Sequence, residues 1–254
     1  MLETMDRTIA VEVTEVSKQY QLGVRPISLR NAATGKRGTG SLVDAVNDVS
    51  VSVKKGEVFG LIGRNGSGKS TLIRMIAGIY RPTQGMIRIR GSLAALVELG
   101  AGFDHQLTGR ENIFMNASGH GLTRKEISDS VDYIIQFAGI GKFIDHPVET
   151  YSTGMRARLG FAVATALEPD VLVADEITAV GDVRFADQCF EYFDQVRDKG
   201  MTVLLATHNL NRLVEVADRV LWLEDGRVKF IGPPEEVVTS YRNFMRSSDD
   251  EKNN

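Results

Sequence analysis

VFGLIGRNGSGKSTLIRMIAGI, residues 58–79, is the stretch on which the fold turns. Val58–Ile62 is a short apolar run of the kind found in a strand buried on both faces. Gly63 to Thr71 punctuate it, and from Leu72 to Ile79 the pattern becomes helical. Between strand and helix lies G-x-x-x-x-G-K-[ST], met by Gly63, Gly68, Lys69 and Ser70. Glycines let the backbone curl so that successive N–H groups point inward at phosphate oxygens. The helix that starts there adds its positive end and its free N–H donors. The whole loop, Gly63, Arg64, Asn65, Gly66, Ser67, Gly68, Lys69, Ser70 and Thr71, is therefore expected to cradle the phosphates of ATP. Lys69 would place a flexible charge at the β and γ phosphates, Ser70 a hydroxyl on Mg²⁺, and Thr71 a hydroxyl near the α phosphate.

Outward from this loop the chain alternates strands and helices, which predicts a mostly parallel sheet. Upstream, residues 9–20 (IAVEVTEVSKQY) alternate at period two and read as an edge strand. Residues 23–41 read as a loop or ragged hairpin, and 43–53 alternate again. Downstream, a strand is expected at Met86–Ile89, then helices at Thr108–Ser118, Arg124–Phe137 and Ala157–Ala166. Strand signals return at Val171–Ala174, Thr202–Ala206 and Val220–Glu224, with helices near 183–199 and 209–217. DGRVKF (225–230) reads as the second arm of a hairpin turned at Asp225-Gly226. The fold class is α/β, a phosphate-loop nucleotide-binding core with antiparallel edge strands and an inserted helical subdomain. Residues 1–97 and 169–232 would form the core, 98–168 the helical lobe, 233–246 a last helix, and 247–254 a disordered polar tail.

Composition narrows the class of function. The chain has 254 residues, 43% apolar and 25% charged, with a net charge of −3. No basic field is present to draw nucleic acid, so nucleic acid is not an expected partner. The single cysteine, Cys189, excludes an intrachain disulfide and fits a small buried residue in a reducing compartment. No signal segment is visible, and no run approaches the roughly 18 apolar residues that span a bilayer.

VLVADE (171–176) is an apolar strand ending in two carboxylates. Adjacent strand residues point to opposite sides, which allows Asp175 to hold Mg²⁺ while Glu176 acts as general base on the attacking water. By itself this ending is as well read as a surface turn. Three further features follow the right order: YSTGM at Tyr151–Met155 leading into a helix, Asp182 six positions past Glu176, and His208 in ATHN after a strand. The constellation resembles the nucleotide-binding subunit of ABC transporters over residues 9–232. The resemblance implies that Gly63–Thr71 is the Walker A loop, Val171–Asp175 Walker B, and Glu176 the catalytic glutamate. It implies that Ser152 and Gly154 face the γ phosphate of ATP bound by a partner subunit. His208 would be the switch histidine and Ala179–Asp182 the loop through which two subunits sense each other. Tyr20 would be the aromatic on which adenine stacks; a strand aromatic packed on its sheet is the plainer reading.

Two departures narrow the resemblance. Most of these proteins carry Leu-Ser-Gly-Gly-Gln at the signature; here Tyr151, Thr153 and Met155 replace three of the five while Ser152 and Gly154 remain. The usual glutamine before the helical lobe is missing from LVELGAGFDHQLTGREN (96–112), leaving Glu98 as the nearest polar candidate for the metal contact. ELGAGF, LTGREN, YS-x-GM and AVGD together resemble the ATPases of polysaccharide exporters for O-antigen, capsule, teichoic acid or galactan. That implies a homodimer on two copies of an integral membrane permease, at the cytoplasmic face of the cell membrane, moving a lipid-linked glycan. Gly100, Gly102 and Phe103 would lie where that permease sits, with Phe103 filling a groove. The basic residues Arg25, Arg30, Lys36 and Arg37 read as a solvated loop, or as a face toward lipid headgroups or the permease. Some members add a C-terminal carbohydrate-binding module; with one helix after residue 232, the chain is expected to lack it. The rival readings are an exporter ATPase for a drug or lipid cargo, and a soluble ABC-type ATPase with no transport role.

Overall fold

The structure is a computed structural model that describes residues 6–22, 41–97, 102–175 and 183–252, with side chains omitted at 183, 197–198 and 249–252. Two sheets organise it. Six strands lie in the order β5-β6-β7-β3-β8-β9, comprising β3 (Val58–Ile62), β5 (Leu93–Leu96), β6 (Val171–Asp175), β7 (Thr202–Ala206), β8 (Arg219–Glu224) and β9 (Arg227–Gly232). All neighbours in it run parallel except β8 and β9, which form the hairpin expected at Asp225-Gly226. Both turn residues have positive φ (47° and 74°), the conformation that a two-residue hairpin turn of matching twist demands.

The second sheet is antiparallel, in the order β2-β1-β4, from β1 (Ile9–Leu22), β2 (Ser41–Lys54) and β4 (Gln84–Ile89). The edge-strand reading of residues 9–20 is corrected here: β1 is the middle strand, paired on both sides. Period-two alternation reports one buried face and one wet face, and central and edge strands share that pattern. Strand β5, not foreseen, contributes the parallel edge of the large sheet beside β6. Its sequence, LAAL, is too short and too rich in alanine to carry a strand signal. Of the segment read as a loop or ragged hairpin, 23–41, residues 23–40 lie outside the described residues and Ser41 opens β2.

Each buried strand feeds two cores at once. In β3, Phe59 and Leu61 face one side, with Val171, Val173, Leu204, Leu221 and the apolar face of α1 (Lys69–Ile76). Val58 and Ile62 face the other, with Leu172, Ala174, Val203, Leu205 and α5 (Val183–Asp198). The helical segments α2 (Gly109–Gly119), α3 (Arg124–Ala138) and α4 (Thr153–Ala166) close a third core of residues from Phe103 to Val163. Helix α4 serves two of them: Leu159, Ala162 and Val163 enter the third core while Ala157, Phe161 and Ala164 enter the α5 side of the sheet. A helix with apolar residues on two faces is what such a bridge requires.

Helix α6 (Leu210–Val216) precedes β8, and α7 (Pro234–Lys252) ends the described chain. The tail expected at 247–254 is thus helical through Lys252. Ser247 and Ser248 each donate a hydroxyl hydrogen bond to the carbonyl four residues back, at 3.1 and 3.0 Å, and no residue after Pro234 breaks the helix. Trp222 of β8 holds the helix down through Tyr241 and Phe244, with ring centroids 5.4 and 5.1 Å away.

Candidate nucleotide site

Parallel pairing puts the C-terminal ends of β3, β6 and β7 along one edge of the sheet. Asp175 stands opposite Ala206, and Ala206 opposite Leu61, two residues before Gly63. With adjacent strands about 4.8 Å apart, Asp175 lies two strands, roughly 10 Å, from the strand that carries the phosphate loop. Ligands of open parallel sheets gather at this edge.

The loop's geometry explains its glycines. Gly63 has φ 151°, and a Cβ there would run into the Leu223 carbonyl; Gly68 has φ 101°, and a Cβ there would run into the Ala45 carbonyl. No side chain fits either place. Gly68 is also the N-cap of α1 and supplies no side-chain cap, which leaves the first-turn N–H groups to a ligand. The loop is tied down from outside. The Gly226 N–H donates to the Ser67 carbonyl at 3.0 Å, and the Asn47 N–H to the Gly226 carbonyl at 2.8 Å.

Lys69 is 4% exposed. Its ammonium donates to the Gly63 carbonyl at 2.8 Å and to the Arg64 carbonyl at 3.1 Å, so the charge is held across the loop's mouth. An open cleft of about 670 Å³ is lined by Ala45, Asn65, Gly66, Gly68, Lys69, Ser70, Thr71 and His208. His208, on the far side of β7 in sequence, is thereby brought to the loop. Its turn is built by the Asn209 N–H donating to Thr207 Oγ1 at 3.1 Å and by the Asn209 side chain capping α6.

Ser152 is exposed and caps α4, accepting from the Met155 N–H at 3.2 Å, with Gly154 in the helix's first turn. Neither lines the cleft of the same chain. Tyr20 is half-buried, with its ring edge-on to Tyr80 (centroids 6.2 Å apart) and the Lys18 ammonium 5.4 Å from its centroid. It is absent from the residues lining the cleft. Phe103 does not reach out to a partner: at 8% exposure it fills the third core instead. Cys189 is fully buried, and burial pushes its thiol far up. Glu98, Gly100, Glu176, the loop Ala179–Asp182, and the basic residues Arg25, Arg30, Lys36 and Arg37 lie outside the described residues. What sequence reading missed is the cleft's other wall, Ala45; an alanine on an alternating strand carries no chemical signal, and only folding sets it over Gly68.

A glycine phosphate loop at the head of a parallel sheet, with a carboxylate two strands away and a helical lobe alongside, defines a nucleotide-binding cassette. The sequence pattern of the ABC transporter family matches residues 46–179, more than half of the chain. The O-antigen export system ATP-binding protein RfbB of Klebsiella pneumoniae is 39% identical over 241 residues, which cover 92% of this chain and 98% of that one. A protein of the same description from Myxococcus xanthus is 45% identical over 95% of this chain and 57% of its own length. The teichoic acids export ATP-binding protein TagH of Bacillus cereus is 41% identical over 93% of this chain and 43% of its own. Among solved structures, a dimeric post-hydrolysis ATP-binding cassette bound to ADP and phosphate superposes with a TM-score of 0.74 at 22% identity, covering 88% of this chain and 98% of that one. The chain belongs to the ABC transporter family, as an ATP-binding subunit that hydrolyses ATP.

Proposed function

We propose that this ATPase powers export of a lipid-linked polysaccharide, of the O-antigen, capsule, teichoic acid or galactan class. It would act as a homodimer bound to two copies of a membrane permease, at the cytoplasmic face of the membrane. The cargo rests on relatives described as O-antigen and teichoic acid exporters, which match nearly the whole chain. Among the described residues no helix is long and apolar enough to cross a membrane, so a separate subunit would hold the path.

The observation that carries the dimer is the separation of Ser152 from the cleft. The exposed, Ser152-capped start of α4 offers a hydroxyl and first-turn N–H groups away from the cleft of its own chain. A second copy would bring Ser152 and Gly154 to the γ phosphate held by Gly63–Thr71 and Lys69. The Ser70 hydroxyl lines the cleft and Asp175 closes β6, a hard-oxygen pair suited to Mg²⁺ together with phosphate oxygens. Among the described residues no group of three His, Cys, Asp or Glu gathers to hold a metal without the nucleotide. Glu98 is assigned to the contact usually made by glutamine. Glu176 takes the proton of the attacking water, and His208 donates toward the γ phosphate. For Tyr20, support comes from the strands. It stands opposite Val43, two residues before cleft-lining Ala45, and is assigned to adenine.

The test is Glu176→Gln in a cell whose surface polymer depends on this chain. Surface glycan is expected to disappear while lipid-linked polymer accumulates inside, and the purified variant is expected to stay dimeric with ATP. Unaltered surface glycan would overturn the cargo; undiminished hydrolysis would overturn the assigned base.

A further inference from the structure

Two of the unusual spellings in this chain, LTGREN and YS-x-GM, meet at one point in space. Tyr151 is 3% exposed, and its phenol donates to the Phe143 carbonyl at 2.6 Å. The phenol oxygen lies where a Cβ on Gly109 would be, so the glycine of LTGREN keeps open the slot that the tyrosine of YS-x-GM fills. Gly109 has no positive φ. Its small size is demanded first by the tyrosine, then by the Cδ1 and carbonyl of Ile144, and not by backbone conformation. The Tyr151 carbonyl is fixed as well, accepting from Arg156 Nη1 at 2.7 Å, while Arg156 Nη2 reaches Thr153 Oγ1 at 3.3 Å. The next residue is Ser152.

We infer that Tyr151 is a positioning residue for Ser152: its phenol keys the start of α4 to the start of α2 and to the 141–145 turn through the slot that Gly109 leaves open. The inference rests on the reading of Ser152 as a phosphate contact in the closed dimer. A buried leucine, the common residue at this position, would fill the slot's apolar part but has no donor for the Phe143 carbonyl. In this chain the signature helix is therefore located by a hydrogen bond as well as by packing. A small shift of Ser152 would spare ATP binding to Lys69 and tax only the step in which the dimer closes.

The experiment is a cycle of Gly109→Ala, Tyr151→Leu and the double variant, assayed for ATPase kcat and KM and for thermal unfolding, with Tyr151→Phe as the least disruptive probe. Gly109→Ala is expected to lower kcat about tenfold with KM changed less than about twofold, because misplacement of a contacting group costs turnover before it costs binding. In the double variant Gly109→Ala is expected to add little to the loss that Tyr151→Leu causes alone, since a methyl and a phenol compete for one slot. Tyr151→Phe is expected to lower kcat with KM unchanged. Strictly additive effects of the two substitutions, on both kcat and unfolding, would overturn the inference. So would a kcat for Tyr151→Phe equal to that of the parent. If Ser152→Arg were silent, the reading of Ser152 would fail by itself, and the coupling of Gly109 and Tyr151 in unfolding would still stand.

Discussion

At the scale of single residues, the phosphate loop shows how few identities its path permits. Gly68 combines a left-handed backbone (φ 101°) with a carbonyl where a Cβ would go. Gly68→Ala is therefore expected to cost about 2 kcal/mol or more in stability, from strain and displacement together. Denaturant unfolding measures the first effect; weakened nucleotide binding at the shifted α1 start measures the second. Lys69 has a double role in the structure. By bridging the Gly63 and Arg64 carbonyls it holds the loop's shape as well as the charge that phosphates need.

At the scale of elements, helix α4 joins two cores, and Phe161 is its deepest anchor. Fully buried, it stacks on Phe137 (centroids 5.6 Å apart) and meets Phe185, Tyr192 and Phe193 edge-on. Phe161→Ala is expected to cost about 3–5 kcal/mol, because the cavity opens among rings that cannot all collapse into it. Calorimetry or denaturant melts would check this; a cost below about 1 kcal/mol would mean that the lobe and core are not packed as described.

Helices α2 and α3 each begin with a reciprocal capping box, Thr108 with Glu111 and Thr123 with Glu126. Hydrogen bonds from Thr108 and Thr123 hold both glutamates below the ordinary 4.5. A folded-state pKa below the unfolded value adds stability that is fully present above 4.5 and fades as pH falls through the lowered value. Glu111→Gln with Glu126→Gln is thus expected to lower stability at neutral pH and leave acid pH little changed, flattening the acid side of the profile, which melting temperature against pH would show.

At the scale of the whole molecule, neither Ser152 nor Gly154 lines the cleft of its own chain, which makes the proposed shared site testable by mixing protomers. A dimer mixed from one Ser152→Arg protomer and one Lys69→Ala protomer is expected to keep one of its two sites free of any substitution. In the proposed dimer both changes fall in the same composite site, and the other site takes its loop and its Ser152 from unaltered segments. Residual turnover near half that of the parent dimer supports a shared site, and its absence points to sites contained in one chain or to obligatory cooperation between two.

The sequence alone determined the chemistry and its order along the chain. The phosphate loop, the Asp175 strand end, His208 after its strand, and the exporter-like spellings all use residues whose types are dictated locally. Strand β3 with its two-faced burial and the Asp225-Gly226 turn were legible for the same reason: period and φ are local properties. Only tertiary structure decided that β1 is a central strand, that β5 exists, that Phe103 turns inward, and that Ala45 walls the cleft. Each of these depends on which surface another element covers, and a residue's type does not encode its neighbour. The link between Gly109 and Tyr151, 42 residues apart, is of this second kind. The phosphate loop itself could be read in the sequence; that Ala45 stands over its Gly68 could be read only in the fold.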